Sequence, residues 1–156
     1  EGVDLFAGVT YSSKAFKEAV GDAFAYSKLI LATTTYNADI FPFMREFIDH
    51  LTERGFKNRT VAFIENGSWA PMATKVMRGM LEGAKDITYT DTTVKITSAL
   101  SAESAAQLDA LAAELAAGTM GCAPPDPLLH TVVGYDIDRI LVHLRVNSIR
   151  RACANH

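Results

Sequence analysis

The sequence predicts an α/β fold, a parallel sheet with helices over both faces. Two apolar runs carry that expectation. Lys28–Thr33 (KLILAT) and Val61–Ile64 (VAFI) are short and continuous, as in strands buried on both sides, and lack the alternation of a half-solvated strand. Each run ends in a polar loop and then gives way to a helical pattern. Strands and helices therefore alternate as βαβαβαβα with short connections, the order that builds a parallel sheet.

The 156 residues are one domain's worth of chain, and 49% hydrophobic with 21% charged is ordinary for a globular protein. A net charge of −3 supplies no basic field to draw in nucleic acid. No apolar run approaches the roughly 20 residues that span a bilayer. Cys122 and Cys153 have no metal-ligand spacing and make no disulfide framework, which fits a reducing, cytoplasmic setting. The chain opens at Glu1 with no initiator Met and no signal-peptide core, so it reads as an interior cut in a longer protein.

In order, Val3–Val9 reads as a strand, and Ser12 or Ser13 caps a helix burying Phe16, Ala19, Val20 and Ala23. Gly21 weakens that helix. Lys28–Thr33 is the next strand, followed by the polar stretch Thr34–Asp39 and an amphipathic helix over Phe43–Arg54 that Gly55 stops. Arg59–Glu65 is a second buried strand. It ends at Glu65-Asn66-Gly67-Ser68, and Pro71 opens a helix to Gly83, a position where its missing N–H costs nothing. Asp86–Ile96 alternates as a strand with an interruption near Asp91, and Ser101 begins an Ala-rich helix to Ala117 striped with Leu108, Leu111 and Leu115. Composition changes at Gly118. Gly121–Pro127 is a turn-rich linker, Ile140–Val146 fits strand or helix, and Arg139, Arg145, Arg150 and Arg151 make the end locally basic. That basic end reads as a solvated tail or as a patch for an acidic partner.

Loops at the carboxyl ends of strands are where open α/β sheets bind ligands. Two such loops, Thr33–Asp39 and Asn66–Ala70, follow neighbouring strands and bring hydroxyls, amides, backbone N–H groups, Tyr36 and Trp69. That inventory suits a planar, hydrogen-bonding ligand rather than a nucleophile. Trp69 reads either as a lid on the core or as a stacking partner for a flat ring. Gly67 lets the backbone approach such a ligand closely. His50 falls within a helix, away from any Ser or Cys partner. Asp39 and Glu65 read as caps and turn formers rather than an acid–base pair.

From Leu29 to Leu51 (LILATTTYNADIFPFMREFIDHL) and from Arg59 to Leu81 (RTVAFIENGSWAPMATKVMRGML), the sequence resembles the flavodoxin-like FMN domain of A-type flavoproteins, the flavodiiron proteins. The resemblance covers the chain from about Lys28 to Leu115, and weaker similarity runs back to about Val3. The resemblance implies a flavodoxin-like three-layer sandwich. Its flavin ring would lie between a wall of Thr33, Thr34, Thr35, Tyr36 and Asn37 and a wall of Asn66, Gly67, Ser68, Trp69 and Ala70. The family's first strand and phosphate loop are missing, so residues 1–118 are expected to be a partial flavodoxin-like domain and 119–156 a linker with an unassigned extension. Flavodoxin-like sheets, that of flavodoxin itself included, run 2-1-3-4-5, so the missing strand is a central one. The sheet should then show a gap beside Lys28–Thr33, or Ile140–Val146 should fill it. Thr10, Ser12 and Ser13 precede a helix but offer no glycine for a phosphate cradle. Without that cradle the chain is expected to hold flavin weakly and to discriminate poorly between FMN and riboflavin.

By the same resemblance the function is electron relay through FMN in a flavodiiron-type oxygen or nitric oxide reductase. The implied partners are a di-iron metallo-β-lactamase-like domain of the intact protein, rubredoxin or a flavin reductase as donor, and further copies of the intact protein. An FMN-dependent quinone or NAD(P)H reductase, and a scaffold that binds partners without cofactor, are the alternatives on the same fold. No catalytic residue and no metal ligand is assigned within the chain.

Overall fold

The computed structural model describes residues 13–117 and 132–133. Its strands are β1 (Lys28–Tyr36), β2 (Asp39–Ile40), β3 (Arg59–Asn66), β4 (Ile87–Ile96) and β5 (Val132–Val133). Its helices are α1 (Ser13–Ala25), α2 (Pro42–Glu53), α3 (Ala73–Leu81) and α4 (Ala102–Ala117). The sheet runs β2-β1-β3-β4, with β5 also paired to β1. All pairings are parallel except the β1–β2 hairpin. Val3–Val9, Gly121–Pro127, Ile140–Val146 and the basic C-terminal arginines lie outside the described residues.

The two apolar runs are the centre of the sheet, paired from Lys28↔Thr60 to Thr34↔Asn66. Their side chains alternate between two cores. Leu29, Leu31, Val61 and Phe63 join Met44, Phe47, Ile48 and Leu51 of α2 and Met77 and Leu81 of α3, with Ala23 of α1. Ile30, Ala32, Ala62 and Ile64 join Leu108, Leu111 and Leu115 of α4 on the opposite face. Both faces are covered, so neither strand needs polar alternation. Phe16, Ala19 and Val20 pack on the first core as their helical spacing predicts.

The helix starts differ from expectation in an instructive way. Pro42, not Pro71, occupies a first helical position, following Phe41 at the N-cap of α2. Helix α3 begins two residues later than predicted, at Ala73, with Met72 at its N-cap and Pro71 outside it. Helix α4 starts as read: the Ser104 N–H donates to Ser101 Oγ at 3.1 Å, an ordinary serine cap.

On the edge of β1 away from β3, Ile30 and Leu31 pair with Val132 and Val133. Where the resemblance leaves a gap, the sheet therefore carries a short strand from beyond Gly118. Val132–Val133 is not the expected occupant, and the one that is, Ile140–Val146, lies outside the described residues.

The interruption predicted near Asp91 is a bulge. Val61 pairs with Tyr89 and Phe63 with Thr93, so Thr90, Asp91 and Thr92 together face Ala62. The backbone groups this frees are satisfied from α4: the Asp91 and Thr92 N–H groups donate to the Glu114 carboxylate at 2.7 and 3.0 Å. Further along, Gln107 accepts from the Lys95 N–H and the Ser104 hydroxyl donates to the Lys95 carbonyl.

Partial burial alone would raise the Glu114 carboxyl, but the Thr92 hydroxyl and the two bulge N–H groups outweigh it and hold it below its ordinary value. A depressed folded-state value adds stability above the unfolded value of 4.5, lost as pH falls through the folded one. Glu114→Gln should therefore lower the urea midpoint at pH 7, and the difference from wild type should shrink on acidification below about pH 4. A difference that is independent of pH would show that the carboxylate's charge does not hold the bulge.

Candidate functional site

The carboxyl ends of β1, β3 and β4 meet at one edge of the sheet. The first expected wall is a strand and a turn, not a loop. β1 continues through Thr33, Thr34 and Thr35 to Tyr36, then turns back into β2, with Thr35 opposite Ile40 and Tyr36 opposite Asp39. The β-branched threonines suit a strand despite their polarity. Asn37 and Ala38 both have positive φ, 51° and 60°, the two-residue hairpin turn whose twist matches the strands. The Asp39 carboxylate binds Arg45 of α2 through both oxygens and accepts the Ile40 N–H at 2.7 Å, tying the hairpin to the helix. The Arg45 hydrogen bonds, with the Ile40 N–H, hold this carboxyl below its ordinary value.

Thr33 is buried opposite Glu65, leaving little of its surface for a ligand. Thr34 and Thr35 are half-buried, whereas Tyr36 is 58% exposed. Tyr36 leans edge-on against Phe41, centroids 6.0 Å apart. The second wall stands beside it, because Thr34 pairs with Asn66. Gly67 donates its N–H to the Ile96 carbonyl at 3.0 Å, and the Asn66 side chain accepts from the Ser98 N–H at 3.2 Å.

The role of Gly67 is visible in its neighbours. A Cβ there would lie 3.4 Å from Thr35 Cβ and Oγ1 and 3.5 Å from Pro71 Cα. A side chain there would just touch both, so the two walls meet around Gly67 at van der Waals distance. Thr35 then closes the contact by accepting the Met72 N–H at 3.0 Å.

Ser68, Trp69 and Ala70 form the exposed crest, and among the described residues they make no hydrogen bond. Trp69 is 88% exposed, which excludes the lid-on-the-core reading. Ala70 holds φ +43°, a left-handed conformation unusual for a residue with a side chain. Such strain concentrates at functional sites.

One contributor was missed from the sequence. After β4, Ser98 sits at φ +64° and Leu100 is 46% exposed. Tyr36, Trp69 and Leu100 are the exposed large hydrophobics among the described residues: Tyr36 is the last residue of β1, Trp69 lies in the loop after β3 and Leu100 in the segment after β4. The alternation ending at Ile96 was the available signal for this third loop. Thr10 and Ser12 lie outside the described residues, and Ser13 begins α1.

Asp39 is committed to Arg45, and Glu65 to the Thr74 N–H and Lys95, so the two do not form an acid–base pair. His50 lies on α2 against Arg54, Glu46 and the Phe16 ring. Among the described residues no group of three or more His, Cys, Asp or Glu could hold a metal ion. No helix among them is long and apolar enough to cross a membrane.

Neither a family model nor a curated protein matches the sequence. Among solved structures, the chain is similar to the rubredoxin oxygen:oxidoreductase of the anaerobe Desulfovibrio gigas, with a TM-score of 0.55 and 16% identity. The likeness covers 70% of this chain and 33% of that one, so the chain spans about a third of its neighbour's length. The fold is flavodoxin-like. At this identity the likeness speaks for the fold alone.

The Thr35 contact is open to direct test. Thr35→Val keeps a β-branched side chain but leaves the Met72 N–H without its acceptor, and should cost about 1 kcal/mol of stability. The check is a shift in urea midpoint at unchanged slope. No shift would mean that the two walls are joined by packing alone.

Proposed function

We propose that this sheet edge binds the isoalloxazine ring of FMN, and that the chain serves as an electron-relay domain of a flavodiiron-type oxygen or nitric oxide reductase. One observation carries the reading. Two exposed aromatics stand at the carboxyl ends of adjacent parallel strands, Tyr36 as the last residue of β1 and Trp69 in the loop after β3, with the unpaired backbone of Ser68–Ala70 between Gly67 and Pro71. A flat heteroaromatic ring answers both features, since its face stacks on an indole and its polar edge accepts from backbone N–H groups. The residues present fit that group.

FMN, when bound, supplies the electron-transfer chemistry, taking and passing one or two electrons. The chain's own residues bind and orient the ring. Trp69 offers the stacking face, and Tyr36 offers a second aromatic surface from the hairpin. The N–H groups of Ser68, Trp69 and Ala70 are donors for the ring's polar edge. Thr35 ties β1 to the start of α3 by accepting the Met72 N–H, and Gly67 is held by its own N–H bond to the Ile96 carbonyl. The flavodiiron setting follows the resemblance of Leu29–Leu51 and Arg59–Leu81, and the fold likeness to a rubredoxin oxygen:oxidoreductase agrees with it. In that setting the partners are a di-iron metallo-β-lactamase-like domain and rubredoxin or a flavin reductase as donor, within an oligomer of the intact protein.

Titration of the purified chain with FMN, and separately with riboflavin, should quench flavin fluorescence saturably. Trp69→Ala should weaken binding about two- to tenfold, the loss expected for one stacking contact, and relieve part of the quenching. A colourless protein that quenches neither flavin would favour the cofactor-free scaffold. A preference for FMN of a hundredfold or more would place a working phosphate site on this chain.

A further inference from the structure

The crest that carries Trp69 makes no hydrogen bond of its own among the described residues, and it contains a strained alanine. Its order must come from its ends. At those ends stands a group the flavin reading does not use. Glu65, the last fully buried residue of β3, is 2% exposed. A carboxylate so far from water is costly unless paired and hydrogen-bonded. Its Oε2 accepts the Thr74 N–H at 2.9 Å, and its Oε1 lies 3.6 Å from Lys95 Nζ on the neighbouring strand.

Thr74 is in the first turn of α3, where backbone N–H groups have no partner within the helix. The N-cap residue Met72 makes no side-chain capping bond. The acceptor that a local serine or aspartate would supply comes instead from the preceding strand, and its charge suits the helix N-terminus. The same side chain thus joins the residue before the loop to the helix after it.

We propose that Glu65 is the positioning residue of the ring loop: its buried carboxylate clamps the end of β3 to the first turn of α3 and so fixes Trp69 at the sheet edge. The consequence for ligand binding rests on the flavin reading, whereas the clamp itself does not. Lys95 contributes little to the clamp. It is 60% exposed, where solvent screens an ion pair, and the hydrogen bond to Thr74 carries the closure.

Trp69 is the chain's single tryptophan, so its fluorescence anisotropy reports on this loop without any flavin present. Glu65→Leu removes the acceptor at similar volume and should lower the anisotropy of Trp69 and weaken FMN binding at least fivefold. Glu65→Gln keeps an acceptor oxygen and should restore both to within twofold, as should Lys95→Gln. Glu65→Leu that folds with unchanged anisotropy overturns the clamp. If Glu65→Leu does not fold, amide hydrogen exchange of the wild-type chain decides. A Thr74 amide slower than those of Ser68–Ala70 supports the clamp, and one that exchanges equally fast overturns it. Loss of Trp69 order in Glu65→Leu, with no FMN binding by the wild type, would refute the flavin reading and leave the clamp standing.

Discussion

The parallel ladder between β1 and β3 is the constraint on which the rest depends. It sets Thr34 level with Asn66, so the hairpin and the ring loop emerge side by side. Strands with one wet face keep register because a one-residue slip would expose their apolar side chains. That safeguard is weak here, since both faces are dry. Size takes its place. Val61 and Phe63 fill the space under α2 and α3, while Ala62 and Ile64 meet α4. A slip would press Phe63 into the place of a smaller residue, and overpacking of that kind costs about 1–3 kcal/mol. Register, and with it the spacing of Tyr36 and Trp69, is therefore held by the unequal volumes of neighbouring core residues.

How much of this could be read from the sequence depends on how local each cause is. The buried strands announced themselves as unbroken apolar runs, and the core faces of α1, α2 and α4 as helical spacing. Both signals need only near neighbours. The hairpin was misread because Thr33–Thr35 are polar, yet their branching favours a strand and Asn37 favours the turn. The proline rule was sound but given to the wrong proline, since Phe41-Pro42 and Ala70-Pro71 look alike as helix starts until their backbone is seen. What could not be read was whatever spans the chain. The break near Asp91 was visible, but its acceptor, Glu114, is 23 residues away. The two candidate walls came from a resemblance, and nothing in the sequence pattern tied Thr35 to Met72 or Glu65 to Thr74.

The arrangement of α4 along β4 has a consequence for how copies of the chain can meet. Among the described residues β4 ends the sheet path, and an edge strand with open N–H and C=O groups is a template onto which another chain can add. Glu114 and Gln107 occupy the N–H groups of Asp91, Thr92 and Lys95, and Ser104 occupies the Lys95 carbonyl. A foreign strand would have to displace three side chains of a packed helix before forming its first bond there. The stretch of β4 from Asp91 to Lys95 is thus guarded against intermolecular strand addition by side chains of the chain's own helix.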